Sequence, residues 1–315
     1  MNAGVRRPRR RVDGVLLLDK PTGVSSNVVL QRAKRLFDAE KAGHTGTLDP
    51  LASGLLPVCF GEATKFAQYL LDAGKTYVAT LRFGIETSTG DAEGDVTATS
   101  DLAVTRPDLA AVLPRFTGRI AQVPPRHAAL KFEGRAYYDY ARKGIEIPRV
   151  ARDVVVDTLA ISDFAPPFAT LAVTCSKGTY VRVLAEDIGR ALGCGAHLAA
   201  LRRTATGGFR IADAVTLEVL EALPLAGRDA QLLPMSVLVE DLPRLVLVDT
   251  LSAARFRQGM AVPSDGIAPG ACAVFEGDRL LGVATSDGTL AAPRRVVADP
   301  STSAGGAAAP SMMSA

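Results

Sequence analysis

The stretch KAGHTGTLDPLASGLLP, from Lys41 to Pro57, holds a single Asp among three glycines, and its apolar residues follow neither a helical nor a strand period. This pattern predicts a loop that carries Asp49. Because Pro50 follows it, Asp49 is steered toward extended backbone, which helps to aim its side chain. An Asp of ordinary acidity is ionised at neutral pH and can serve as a nucleophile or a base. A turn in which Asp49 only caps a helix is the structural alternative.

The segments around this loop alternate between strand and helix patterns. GVLLLDKP predicts a buried strand, and SSNVVLQRAKRLFDA predicts a helix that begins at Ser25 or Ser26. After the loop, EATKFAQYLLDA predicts a helix ended by Gly74, and KTYVATLRFG predicts a half-buried strand with Tyr77 on its apolar face. Strands and helices mix without a regular βαβ rhythm, so we expect an α+β fold with a mostly antiparallel mixed sheet flanked by helices.

The length and local composition predict more than one structural unit. A chain of 315 residues exceeds the usual single domain. Near residue 233 a helical pattern gives way to prolines, and short strands separated by Gly and Asp turns follow, which predicts a small C-terminal β module. We divide the chain into a disordered basic arm (1–12), a large domain (13–232), the β module (233–298) and a disordered low-complexity tail (299–315).

Composition narrows the class of protein and its compartment. The early apolar run Val15 to Leu18 is too short for a signal peptide or a membrane span, so we predict a cytoplasmic protein with no membrane partner. The four cysteines are widely spaced and form no CxxC pair, which predicts reduced and mostly buried thiols.

The usual cofactor motifs are missing. There is no GxxxxGK[ST] phosphate loop, and GCGAH, from Gly193 to His197, lacks the third glycine of a dinucleotide site. The chain has three histidines, none spaced from another as metal ligands are. We therefore predict an enzyme that uses no metal ion and no cofactor.

Charge is concentrated in the middle of the chain. Residues 115–152 contain nine Lys or Arg against three acidic residues, and the whole chain has 28 Arg but only 8 Lys. The planar guanidinium fork suits phosphate groups, which indicates a nucleic-acid partner. A solvated basic face, or a genome that favours Arg codons, would give the same count. Charge alone leaves these interpretations open.

Five motifs in a fixed order point to a known family. The run GHTGTLDPLASGLLPVCFGEATKF, preceded by GVLLLDKPTGVSS and followed by CSKGTYVRVLAEDIG, GCGAHLAALRRT and APRRVV, resembles the TruB family of tRNA pseudouridine synthases. The resemblance covers nearly all of residues 13–298. It implies a pseudouridine synthase fold with a PUA-like C-terminal module. It also implies isomerisation of uridine 55 in the T loop of tRNA by a stand-alone monomer, without a guide RNA or a cofactor.

The resemblance also assigns roles to individual residues. Asp49 matches the family nucleophile, and Arg182 matches the arginine that pairs with it. Tyr77 matches the tyrosine that stacks on the flipped uracil, with its hydroxyl near the base proton that is lost. The implied substrate-binding residues are His44, which enters the T loop, Lys65, which supports the site, Tyr180 and Leu201, which contact the base, and Lys20, a backbone contact.

Two positions depart from the family pattern. In PPRHAALK, His127 stands where the family has an aromatic residue and Ala128 where it has serine, so no role is carried over to either. Asp91, in TSTGDAEG, lies in a loop that the family uses near the ribose. Two other functions compete with the synthase: an RNA-binding or tRNA-folding chaperone whose catalysis is secondary, and a hydrolase with an Asp nucleophile.

Overall fold

A computed structural model describes residues 9–126, 128 and 130–298 of the chain. Residues 1–8 of the predicted basic arm, the whole predicted tail (299–315) and His127 lie outside the described residues. None of the helices in the described part combines the length and the apolar character that crossing a membrane requires.

The strands of the described chain are short to medium in length and fall into two large sheets and two small hairpins. In chain order they are β1 (Gly14–Lys20), β2 (Ala42–His44), β3 (Ser53–Phe60), β4 (Lys75–Phe83), β5 (Ile85–Thr87), β6 (Val96–Thr99), β7 (Gly118–Gln122), β8 (Lys131–Phe132), β9 (Arg135–Ala136), β10 (Arg152–Ala165), β11 (Phe168–Cys175), β12 (Ala196–Thr206), β13 (Phe209–Arg210), β14 (Arg244–Val246), β15 (Val262–Pro263), β16 (Gly270–Glu276), β17 (Arg279–Ser286) and β18 (Leu290–Val296).

The helices lie mostly in the connections of the larger sheet. They are α1 (Ser26–Leu36), α2 (Ala67–Asp72), α3 (Arg106–Val112), α4 (Tyr137–Ala141), α5 (Val181–Leu192), α6 (Leu217–Ala222), α7 (Leu225–Asp229) and α8 (Thr250–Arg257). Four short 3-10 segments are also described: Gly61–Lys65, Leu113–Phe116, Ile211–Asp213 and Met235–Val239.

The larger sheet has the strand order β1-β3-β12-β4-β11-β10-β7, with β2 paired to β3 and β13 to β12. Its pairings are antiparallel except for β12 beside β3, which is parallel. This confirms the expected mostly antiparallel mixed sheet. Helix α5 packs against β12 and β4, where Leu184 and Ile188 join the core that contains Leu81 and Leu171.

The second sheet confirms the small C-terminal β module. Its order is β14-β16-β17-β18-β15, and α8 covers it with Phe256, which is fully buried against Cys272 and Val274. The two sheets share a hydrophobic cluster in which Val15 and Phe66 of the larger unit pack with Phe275 of the module. The boundary at residue 233 stays a prediction.

Helix α1 forms where the apolar spacing places it. The Ser25 hydroxyl accepts a hydrogen bond from the Val28 N–H and caps the helix, so of the two serines it is Ser25 that serves as N-cap. Val29 and Ala33 are buried against β1 and β3, as the spacing requires. The four cysteines are free and buried, which confirms the prediction of buried thiols.

Two details of the sequence analysis are wrong. The single helix expected from Glu62 onward is a 3-10 segment followed by α2, because the tighter 3-10 turn brings Ala63 and Phe66 to the same face, where both are fully buried. The basic arm also ends earlier than residue 12. Arg10 forms a bidentate pair with Asp229, and Val12 is buried in the core.

Candidate active site

The loop between β2 and β3 carries Asp49. Strands β2 and β3 pair antiparallel with His44 opposite Val58, and the loop joins the sheet again at Ser53. At the return, Gly54 has φ +102°, and a Cβ there would collide with the backbone oxygen of Arg203. Only glycine allows this contact between β3 and β12. The contact brings β12 next to the end of the Asp49 loop.

Asp49 forms an ion pair with Arg182, which lies in the first turn of α5. The distance between Arg182 Nε and Asp49 Oδ2 is 3.1 Å, and Arg182 Nε lies 3.6 Å from Asp91 Oδ2. The side chains of Arg182 and Asp91 are 7% and 5% exposed, whereas that of Asp49 is 41% exposed. Asp49 is therefore the member of this trio that a ligand can reach.

The far side of the trio is fixed by the loop after β5. Asp91 Oδ1 accepts hydrogen bonds from the Thr89 hydroxyl at 2.5 Å and from the Glu93 N–H at 3.1 Å. Arg182 Nη1 donates to the Thr89 carbonyl at 3.2 Å. Thr89 and Asp91 therefore hold the Arg182 guanidinium on the side away from Asp49, so its position does not depend on Asp49. The sequence placed Asp91 near the ribose, and the structure places it against Arg182.

A cleft of about 400 Å³ opens in front of Asp49. Five residues singled out by the sequence line it together, although they come from four separate elements of the chain: Asp49, Tyr77, Tyr180, Arg182 and Leu201. The cleft has the volume typical of a small-ligand site. Within the described residues, no three His, Cys, Asp or Glu side chains gather as they would around a metal ion.

Tyr180 is held at one wall by its backbone. The residue stands at the N-cap of α5, where its N–H donates to Gln122 Oε1 at 3.0 Å and its carbonyl accepts from Gln122 Nε2 at 3.3 Å. Gln122 is 2% exposed, so this pair of hydrogen bonds is shielded from water. The phenol ring is thereby held at the cleft, and burial raises the pKa of Tyr180.

Tyr77 lies on β4 directly opposite Arg203 of β12. Opposite residues of an antiparallel pair extend to the same side of the sheet, so the two side chains are neighbours in the cleft. Burial raises the pKa of the Tyr77 phenol, and the positive charge of the neighbouring Arg203 opposes that shift. The hydroxyl therefore has a cation beside it.

Arg203 is a site residue that the sequence analysis missed. It is 1% exposed, its Nε donates to the Leu55 carbonyl at 2.7 Å, and its Nη2 donates to the Gly46 carbonyl at 3.1 Å. Among the described residues, no carboxylate pairs with it within 4.0 Å. Burial lowers its pKa, although the group stays cationic. In the sequence Arg203 belongs to the run LRRT, and no local pattern there distinguishes a buried arginine from an exposed one.

Lys75 was also missed. It lines the same cleft, is 7% exposed and donates to the carbonyls of Leu71 and Ala73 at 2.7 and 2.6 Å. Burial, with the nearby charge of Arg203, lowers its pKa to about 8. The regular alternation of β4 could have identified it, because Lys75 shares the Tyr77 side of the strand.

Lys20 lies beneath the Asp49 loop and is fully buried. Its ammonium donates to the carbonyls of Ala52 at 2.6 Å, Pro21 at 2.9 Å and Pro50 at 3.5 Å. Burial lowers its pKa to about 8, against the opposing effect of the charge on Asp49. The backbone that Lys20 contacts is that of the protein's own loop, and its implied role in substrate binding stays a prediction.

Two other implied substrate contacts lie outside the cleft lining. His44 is half-buried on β2, where burial and the charge of Arg203 lower its pKa, and its Nδ1 has no hydrogen-bond partner among the described residues. Lys65 pairs with Glu62 at 2.6 Å and donates to the Val296 carbonyl at 2.9 Å, so it ties β18 to the larger unit. The substrate roles of His44 and Lys65 remain predictions.

Comparison with known proteins places this geometry in a family. A sequence model described as the N-terminal domain of TruB family pseudouridylate synthase matches residues 34–181, and one described as the tRNA pseudouridylate synthase B C-terminal domain matches residues 182–240. Among solved structures, Cbf5 in a complex with Nop10 and Gar1 is 29% identical, with a TM-score of 0.69 over 90% of this chain and 84% of that one.

The curated relatives are more similar. A protein named tRNA pseudouridine synthase B from Thiobacillus denitrificans is 53% identical over 291 residues, which is 92% of this chain and 97% of the relative. A protein of the same name from Dechloromonas aromatica is 53% identical over 293 residues and is covered to 98% of its length. The chain therefore belongs to the TruB family of pseudouridylate synthases.

Proposed function

We propose that the protein converts uridine 55 in the T loop of tRNA to pseudouridine, with Asp49 as the nucleophile. The observation that carries this proposal is the Asp49–Arg182 ion pair, which opens onto a cleft walled by Tyr77 and Tyr180. The guanidinium places a fixed positive charge beside the Asp49 carboxylate, which is the part of the pair that a ligand can reach. The two phenol rings offer flat surfaces for a pyrimidine base.

The reaction needs only groups that the cleft contains. The N1–C1′ bond of the uridine breaks, the base turns, and a C5–C1′ bond forms; the C5 proton is lost and N1 gains one, so no atom is added or removed overall. Asp49 supplies the anion that reacts with the nucleoside and is regenerated at the end. We assign the exchange of the base proton to the hydroxyl of Tyr77, which lines the same cleft.

The target uridine must leave its loop to reach Asp49. Unstacking and turning out a nucleotide costs about a few kcal/mol. Stacking of one base on an aromatic side chain contributes roughly 1–3 kcal/mol, so Tyr77 offsets much of that cost. RNA of this kind is recognised through its shape, its phosphates and its splayed bases. The surplus of basic residues in 115–152 supplies positive charge for the phosphates.

We further propose that the enzyme acts as a monomer on tRNA, without a guide RNA, in the cytoplasm. The relatives whose names specify tRNA match this chain over almost their entire length, which supports the stand-alone form. The solved Cbf5 structures are complexes, one with Nop10 and Gar1 and one with Nop10, and those partners belong to that protein. Four free, buried thiols fit a reducing compartment.

The test is tritium release from tRNA labelled at C5 of its uridines, followed by mapping of the modified position. We expect release of one tritium per tRNA, and none from a transcript in which cytidine replaces uridine 55. Release that persists from the cytidine transcript would overturn the assignment of the position.

Mass spectrometry of the product RNA separates the synthase from the competing functions. Isomerisation leaves the mass of the RNA unchanged. A hydrolase would release free uracil and leave an abasic site, and a binding protein or folding chaperone would bind the tRNA without altering a nucleotide. Either result would contradict the proposed reaction.

A further inference from the structure

Backbone groups on both sides of Asp49 are hydrogen-bonded to one other segment of the chain. That segment, residues 20–26, connects β1 to α1, and we call it the cradle. The Gly23 N–H donates to the Pro50 carbonyl at 2.8 Å, and Lys20 donates to the Ala52 carbonyl at 2.6 Å. Within the loop, the Ala52 N–H donates to the Asp49 carbonyl at 3.1 Å. The carbonyls of residues 49, 50 and 52 are thus accounted for.

Ser26 completes the cradle on the other side of Asp49. Its hydroxyl donates to the Leu48 carbonyl at 2.8 Å and accepts from the Leu48 N–H at 2.8 Å. A hydroxyl has one donor hydrogen and free acceptor lone pairs, so a single serine can satisfy both backbone groups of one residue. Ser26 is 1% exposed, so water does not compete for either bond.

These bonds fix the peptide planes on both sides of Asp49. The Leu48 carbonyl belongs to the same planar peptide unit as the Asp49 N–H, so its bond to Ser26 limits rotation before Asp49. Pro50 fixes its own φ, and its carbonyl is held by Gly23 after Asp49. With both planes held, the carboxylate is aimed at Arg182 before any ligand arrives.

We propose that Ser26 is a positioning residue for catalysis, which holds the Asp49 carboxylate in its reactive orientation through the Leu48 backbone. The inference rests on the proposed role of Asp49 as nucleophile. Reactive groups must be held close to their productive geometry, and a displacement of 1 Å can lower a rate by about 100-fold. Ser26 does not contact the substrate in this scheme.

Two adjacent serines provide a matched experiment. Ser26→Ala removes the hydroxyl that holds Leu48, whereas Ser25→Ala removes the hydroxyl that caps α1. Both changes remove one oxygen at the start of the same helix. Ser25→Ala is expected to lower the melting temperature by about 2–4 °C, and Ser26→Ala by more, because it leaves two buried backbone groups of Leu48 unpaired. We expect Ser26→Ala to lower the single-turnover rate of tritium release about 10- to 100-fold, and Ser25→Ala to leave it within about threefold of the wild-type rate.

Two further measurements separate positioning from damage to the fold. The dissociation constant for tRNA is expected to change less than about threefold in Ser26→Ala, because the cleft walls are unaffected. Amide hydrogen exchange is expected to become faster in the peptide that contains Leu48 and to stay unchanged in α5. Ser26→Cys keeps the shape and a weak donor, so its rate should lie between those of the serine and alanine forms.

The inference is overturned if Ser26→Ala and Ser25→Ala have the same rate, or if Ser26→Ala loses tRNA affinity as much as rate. Asp49→Asn, assayed in parallel, distinguishes this failure from failure of the proposed function. An inactive Asp49→Asn with a fully active Ser26→Ala removes only the role of Ser26. An active Asp49→Asn removes the nucleophile, and with it the reason for holding the loop.

Discussion

Two buried arginines line the same cleft, and their surroundings differ. Arg182 is paired with two carboxylates, Asp49 at 3.1 Å and Asp91 at 3.6 Å. Arg203 is bonded to the carbonyls of Leu55 and Gly46 and lies beside the phenol of Tyr77. One guanidinium is neutralised by acids, and the other keeps its positive charge uncompensated within the described residues.

The difference indicates that the two arginines have different electrostatic roles in the cleft. On the Arg182 side, two carboxylates share one cation, so a negative charge faces the ligand through Asp49. On the Arg203 side, positive charge lies next to the hydroxyl of Tyr77 and favours negative charge on its oxygen. A reaction that breaks a bond to a base and moves a proton can use both signs of charge. Each of the variants below removes one feature of this contrast.

Among the variants of the basic residues in the cleft, the largest effect is expected for Arg182→Met. Removing the guanidinium leaves Asp49 and buried Asp91 without a counter-charge, and breaking a buried pair in this way typically costs about 3–5 kcal/mol of stability. The loss of a fixed charge beside the nucleophile should also lower the single-turnover rate by about 100- to 1,000-fold. Tritium release and chemical denaturation measure the two effects.

Arg190→Met is the matched control, because Arg190 lies on the same helix but is 70% exposed and pairs with Asp187 on the surface. Its change in stability should stay below about 1 kcal/mol. If Arg190→Met and Arg182→Met lost the same free energy of unfolding, the burial of Arg182 would not explain its contribution to stability.

Lys75→Met is expected to change how stability depends on pH. In the folded protein Lys75 loses its proton at a pKa of about 8, whereas in the unfolded chain it does so near 10.5. Between these values the unfolded state binds more protons, so this lysine makes the folded state more stable as the pH rises. The free energy of unfolding of wild type minus that of Lys75→Met should therefore increase between pH 7 and pH 10.5, by up to about 3 kcal/mol.

Denaturant unfolding at a series of pH values provides the measurement, with Lys143→Met as the control at an exposed lysine. If the difference in the free energy of unfolding between wild type and Lys75→Met stayed constant with pH, Lys75 would be well hydrated in the folded protein, which would contradict the prediction.

A smaller effect is expected for Arg203→Met. The variant leaves the carbonyls of Gly46 and Leu55 without their donor, at a cost of about 1–3 kcal/mol for each buried group, while it also removes a costly buried charge. The net loss of stability should be about 1–2 kcal/mol. The more specific signature is the pKa of Tyr77, which should rise further when the neighbouring cation is gone.

Carbon NMR of tyrosine labelled at Cζ, with Tyr77→Phe to identify the signal, follows that titration. Arg202→Met is the control, because Arg202 is the residue next to Arg203 but its side chain is 43% exposed and pairs with Asp19. A Tyr77 pKa that is the same in both arginine variants would remove the electrostatic difference between the two sides of the cleft.

The sequence was most informative where a local pattern carries the structure. The loop around Asp49 was predicted from its glycines and its lack of periodicity, and β1, α1 and β4 from the spacing of their buried residues. The motif resemblance then named five residues that the structure brings to one cleft. Spacing along the chain could not have joined them, because Asp49 and Leu201 are 152 positions apart.

What the sequence did not reveal depends on burial and on partners distant in the chain. The sequence does not distinguish Arg203 and Lys75 from exposed arginines and lysines. Only the pairing of β12 with β4 identifies them as part of the site. Ser25 and Ser26 were equivalent as helix caps until the loop was placed against the second of them. Lys65 followed a family motif, yet its bonds are to Glu62 and Val296.

The central claim is that Asp49 is the reacting group in the cleft, and its most direct test is a pair of measurements on Asp49→Asn. The substitution keeps the size of the side chain and removes its charge. We expect the single-turnover rate of tritium release to fall by on the order of 10⁴ or more, while the dissociation constant for tRNA changes less than about threefold. A variant that still turns over at a rate near that of the wild type would contradict the assignment.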